Sequence, residues 1–171
     1  MDMEANKATA RRFVDEVVSR GNLALIDELL APDFVDHSAS PGSPPTREGT
    51  KTFMAMLGGA FPDLHVTIDD VIAEGDRVVL RTTNHGTMKG EFAGMPPSGK
   101  SATWASVHIV RFANGKQVEH WAVVDQLSAT ALSYFASVRP EIVDGLRARG
   151  LRTPVVLGSP KRQRSDATSA G

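Results

Sequence analysis

The chain has 171 residues, 41% hydrophobic and 23% charged, with 19 Lys and Arg against 20 Asp and Glu and a formal net charge of −1. That balance describes one folded domain with a sizeable core and no overall field to attract nucleic acid or an anionic membrane. Cysteine is absent, which excludes disulfides and thiolate chemistry, and with no signal peptide in Met1–Arg20 and no apolar run near the roughly 20 residues of a membrane helix, the cytoplasm is the expected compartment.

Ala8, Phe13, Val14, Val17 and Val18 recur at helical spacing over residues 3–20, and Gly21-Asn22 ends that helix. A short helix follows over Leu23–Leu30, then Asp33–His37 as a strand or a helical turn, then a Ser/Pro loop over 38–46. A third helix is expected over 47–60. From Phe61 the period changes to two, giving strands over Leu64–Ala73, Arg77–Thr87, Ser101–Phe112 and Lys116–Asp125. Glu74-Gly75-Asp76 and Asn114-Gly115 make the turns, the latter a favoured hairpin dipeptide. A closing helix is expected over Ser128–Val138. The reading divides the chain into a domain over 1–138, a helical extension over 139–151 and a disordered tail over 152–171, where apolar residues are few. Helices followed by an antiparallel meander imply an α+β fold, with helices covering one face of a curved sheet and a concave, apolar space for a small molecule.

Chemistry concentrates on the strands. Alternation along Lys116–Asp125 puts Glu119, Trp121, Val123 and Asp125 on one face and Val118, His120, Ala122 and Val124 on the other. A carboxylate enclosed beside an indole is a candidate acid or base, because removal from water favours its protonated form. Asp125 equally suits the cap of the next helix. Trp104, Ser106, His108 and Val110 share a mixed face that reads as a pocket wall, with His108 as proton partner for Asp125. Arg81, Thr83 and His85 share another. The five histidines (37, 65, 85, 108 and 120) show no HExxH or HxH spacing, so no metal site is expected. The glycines carry no phosphate-loop or dinucleotide pattern.

Several local signatures, in order, resemble the SnoaL-like polyketide cyclases of the nuclear-transport-factor-2-like superfamily. They are Phe34-Val35-Asp36-His37, Ala60-Phe61-Pro62-Asp63-Leu64, Glu74-Gly75-Asp76-Arg77-Val78, Gly86-Thr87, Gly90-Glu91-Phe92, Gly94-Met95-Pro96-Pro97-Ser98-Gly99-Lys100, and Arg111-Phe112 through Asp125. The resemblance implies a cone-shaped barrel of a strongly curved, mostly antiparallel sheet covered by N-terminal helices, commonly a homodimer through the outer sheet face. It implies intramolecular aldol ring closure without metal or cofactor, on a small, largely apolar carbonyl compound. Asp125 matches the family's acid/base position. The 119/121/123/125 face would then line the cavity and place Trp121 in it. His37 would contact substrate at the pocket mouth, and Arg81, His85 and Trp104 would shape or polarise the site.

The match has departures. Related ketosteroid isomerases carry a tyrosine in the first helix, and here the only tyrosine is Tyr134. Related epoxide hydrolases carry an arginine and an aspartate where this chain has Thr83 and His85. Met88 replaces a histidine of many members in Gly86-Thr87-Met88-Lys89-Gly90. The expected activity is a cyclase, or a related lyase or isomerase. The alternatives are a ligand-binding or dimerising module of the same fold without chemistry and, less favoured, an epoxide hydrolase.

Overall fold

The computed structural model describes residues 2–40, 42–92 and 94–125. The closing helix over Ser128–Val138, the extension over 139–151 and the tail over 152–171 lie outside the described residues.

The first helix, α1 (Met3–Arg12), starts at Asp2, whose Oδ1 accepts the N–H groups of Glu4 and Ala5 at 3.0 and 3.1 Å. It runs on through a wider turn over Phe13–Ser19 and stops at Gly21, where φ is +70°. A single tight turn at Leu23–Leu25 leads into α2 (Ile26–Leu29) and directly into β1 (Leu30–Asp36). Helix α3 (Arg47–Ala60) is capped by Thr46, which accepts the Gly49 N–H. Strands β2 (His65–Glu74), β3 (Arg77–Thr87), β4 (Ser101–Ala113) and β5 (Lys116–Val124) follow as a meander. The ambiguous segment before the Ser/Pro loop is therefore a strand. Asn114 and Gly115 have φ of 51° and 75°, the left-handed pair that a two-residue hairpin turn requires.

The strand order is β1-β5-β4-β3-β2, antiparallel except for β1 against β5. Among the described residues β1 and β2 are edges, so the sheet is an open, curled cone rather than a closed barrel. Irregular register at Leu30/Val35, Ile68/Asp70 and Arg111/Phe112 supplies bends. The helices cover one face. Ala10 of α1 and Val14 of the wider turn pack with Val78, Leu80, Trp104, Val110 and Phe112 in the main core. Val17, Ile26, Leu29, Leu30 and Phe34 form a second cluster under the helix ends. The loop between β3 and β4 docks on the end of α3, where Lys89 and Gly90 both donate to the Ala60 carbonyl at 2.8 and 3.1 Å.

Candidate functional site

Register decides which side chains meet. His108 pairs with Leu80 on one side and Ala122 on the other, Val110 pairs with His120, and Ser106 pairs with Thr82 and Val124. Direct partners share a face. The helix-covered face therefore carries Trp104, Ser106, His108 and Val110 of β4 with His120, Ala122 and Val124 of β5. The other face carries Val107, Ile109, Glu119, Trp121 and Val123, with Val107 39%, Ile109 37% and Val123 75% exposed.

This corrects the expectation that the 119/121/123/125 face lines the same space as Trp104 and His108. Trp121 stacks on His37, ring centroids 4.5 Å apart and planes at 4°, with the Arg77 guanidinium 5.9 Å from the indole centroid. Arg81, exposed on the outer face, binds Asp70 at 2.7 Å and Asp69 at 3.1 Å. His85 is also exposed there, its Nδ1 2.9 Å from the Thr103 hydroxyl. Asp125 follows the last residue of β5 and donates its N–H to the Ala105 carbonyl at 2.9 Å, so alternation sets it on the side opposite His108. Of the seven predicted residues, only Trp104 and His108 lie on the helix-covered face. Trp104 is core, its ring 5.5 Å from that of Phe61.

The inner face instead joins His108 to two residues outside that set. Asp36, at the end of β1, pairs with His120 and places Oδ1 2.9 Å from its Nδ1. The Nε2 of His120 lies 3.1 Å from Nδ1 of His108. Burial raises the Asp36 carboxyl, but the His120 contact and the Ser38 N–H outweigh it and hold the group below its usual range. An ionised carboxylate only accepts, so His120 carries a proton on Nδ1, and as a neutral ring it has a bare Nε2. In that tautomer the neutral His108 donates from Nδ1 and leaves its own Nε2 unprotonated. That nitrogen makes no hydrogen bond among the described residues. Burial, reinforced by the neighbouring His120 and opposed by Asp36, lowers His108 to about 4. The ring is neutral at pH 7 and is a candidate base with a carboxylate-backed relay behind it.

Next to the relay the inner face stays polar. Asn84 donates to the Trp104 carbonyl at 3.2 Å and lies 3.0 Å from the Ser106 hydroxyl. A separate crevice of about 410 Å³, lined by Val18, Leu23, Met54, Phe61 and Leu64, opens between the end of the first helix and α3 and holds none of these groups. Among the described residues no three His, Asp or Glu side chains gather as a metal site, and no helix is long and apolar enough to cross a membrane.

The family model for SnoaL-like polyketide cyclases matches residues 8–131. No curated protein matches the chain. Among solved structures, AclR of Streptomyces galilaeus, described as a candidate hydroxylase, is 33% identical with a TM-score of 0.68, covering 77% of this chain and 96% of its own. A candidate SnoaL-like polyketide cyclase from Jannaschia is 31% identical with a TM-score of 0.68, covering 77% and 94%. Wild-type IdmH of Streptomyces antibioticus, a candidate polyketide cyclase, is 32% identical with a TM-score of 0.65, covering 74% and 96%.

Proposed function

The chain belongs to the SnoaL-like polyketide cyclase family, and from that premise we propose that it is a cyclase, or a related lyase or isomerase, that removes a proton from carbon beside a carbonyl. The substrate is a small, largely apolar carbonyl compound. The acid/base role that the resemblance implies for Asp125 passes in this reading to His108, with Asp36 as the carboxylate behind it.

The observation that carries the reading is the line Asp36–His120–His108, whose last nitrogen, His108 Nε2, has no hydrogen-bond partner among the described residues. His108 Nε2 takes the proton from the carbon between two carbonyls. The carbon–hydrogen electron pair moves into the enolate. The new imidazolium is stabilised through His120 by the negative charge of Asp36, and by the enolate itself. The enolate carbon then attacks a second carbonyl of the same molecule, and the proton on Nε2 returns to the resulting alkoxide. The substrate's fold within the cone supplies the approach of the two carbons.

The outer face supports the second half of the expectation, a homodimer. Val107, Ile109, Val123 and Ile72 present an exposed apolar surface that a second copy would cover.

Deuterium incorporation at the central carbon of the β-ketoester ethyl acetoacetate tests the chemistry without knowledge of the natural substrate. The wild type accelerates exchange above buffer, and His108→Gln lowers that acceleration by about two to four orders of magnitude. Equal exchange by the two folded proteins, or no acceleration by the wild type, overturns the reading.

A further inference from the structure

The relay is only as good as the placement of Asp36 against β5, and the ladder that sets it is short. Its ladder with β5 comprises Leu30↔Gln117, Val35↔Glu119 and Asp36↔His120, with the register broken between the first two. Beyond Asp36 the chain leaves the sheet into the Ser/Pro loop. The backbone at this end is held on its far side by the Val35–Thr46 bridge and by the Asp36 N–H, which donates to the Pro45 carbonyl at 3.1 Å. A carboxylate at a strand end still has several rotamers, and an orienting group that wanders no longer fixes a tautomer.

We propose that Trp121, His37 and Ser38 are positioning residues that clamp the turn after β1 onto β5 and so hold the Asp36 carboxylate against His120. This inference rests on the relay reading above.

The clamp works on both sides of the sheet. On the outer side, the His37 ring lies flat on Trp121 at 4.5 Å, and its Nε2 is 3.4 Å from Glu119. Glu119 is itself held by Arg111. The His37 N–H continues the ladder by donating to the His120 carbonyl at 2.9 Å. Past that point no β1 carbonyl is available, and the Ser38 hydroxyl takes over. It accepts the Ala122 N–H at 2.7 Å, the N–H of the residue that pairs with His108. The Ser38 N–H donates to Asp36 Oδ1 at 2.9 Å, the same oxygen that receives His120. Asp36 thus faces inward while its two successors are fastened to Trp121 and Ala122. Two tryptophan and histidine side chains that the sequence suggested as substrate contacts become a brace behind the sheet.

Ring-nitrogen NMR of isotopically labelled full-length protein at neutral pH reads the tautomers directly. In the wild type His120 holds its proton on Nδ1 and His108 leaves Nε2 bare, each as a single tautomer. Trp121→Leu and Ser38→Ala are expected to let both rings average between tautomers. Trp121→Phe, which keeps a flat partner for His37, retains the wild-type pattern. Exchange into ethyl acetoacetate falls by about a hundredfold in Trp121→Leu, as for a group misplaced by about 1 Å, with the concentration dependence unchanged. Ser38→Ala removes one exposed hydroxyl and keeps the test alive if Trp121→Leu fails to fold. Fixed tautomers in the wild type that persist in folded Trp121→Leu or in Ser38→Ala overturn the brace alone. Averaged tautomers in the wild type overturn the relay as well.

Discussion

A neutral imidazole buried at 108 makes the fold sensitive to mild acid. His108 is lowered from the ordinary 6.5 to about 4. Between those values the unfolded chain binds a proton that the folded chain refuses. Stability is therefore complete above the unfolded value, falls as pH drops through it, and levels off near the folded value. Each pH unit inside the window costs about 1.36 kcal/mol, so the step from about pH 7 to about pH 5 removes about 2 kcal/mol. The carboxylates with lowered values act elsewhere. Asp36, Asp63 and Glu119 give stability that is present above their unfolded values of 3.8, 3.8 and 4.5 and is lost below them. Urea unfolding followed by tryptophan fluorescence, repeated across this range for the wild type and His108→Gln, isolates the histidine. The wild-type stability should fall by about 2 kcal/mol more than that of the variant. Superimposable pH profiles would refute the claim that the ring is folded in as a neutral group.

Two further outcomes follow from packing. A Cβ on Gly90 would lie 2.4 Å from the Gly59 carbonyl oxygen and 3.1 Å from Ala60 Cα, both backbone. Gly90→Ala should therefore undock the loop from α3 at a cost of about 1–3 kcal/mol, read as a lower urea midpoint. Val123 is 75% exposed on the outer apolar surface, so Val123→Lys should leave circular dichroism unchanged and convert a dimer to a monomer in analytical ultracentrifugation. A wild type that sediments as a monomer, or a variant that stays dimeric, removes the proposed interface.

The elements were legible because their signals are local. Thr46 caps α3 where hydroxyl and Gly49 N–H meet, Asn114-Gly115 turns the hairpin, and alternation marks β3 and β4 along their length. The site was not legible in the same way, for one identifiable reason. A two-residue turn with Ala113 opposite Lys116 and no irregularity would pair His108 with Trp121, on one face. The observed register starts that way, with Phe112↔Gln117, and then slips to Arg111↔Glu119, so β5 contributes one extra residue, Val118. That single bulge exchanges the two faces of β5 relative to β4. It sends Trp121 outward and brings His120 and Ala122 to His108. Nothing in the hydropathy of Gln117-Val118-Glu119 announces it. Asp36 was visible as a residue but not as a partner, because β1 reaches β5 across more than eighty residues of chain.

The energetic cost of the inner face favours the proposed catalysis over simple binding. A cone that only held an apolar guest would be better lined with leucine, since buried imidazoles must be desolvated and matched with partners. Here the cost is met along one line: Asp36 satisfies His120, His120 satisfies His108, and the line ends on a nitrogen unmatched among the described residues. Burial alone would make that nitrogen a weak base, and the charge of Asp36 opposes that weakening. The arrangement gains most when a negative charge develops beside the ring, because the imidazolium is then paired on both sides in a medium that screens poorly. In the proposed reaction an enolate supplies that charge only as the proton leaves carbon. The stabilisation is therefore larger in the transition state than in the bound ground state, which is the property that distinguishes an enzyme from a receptor.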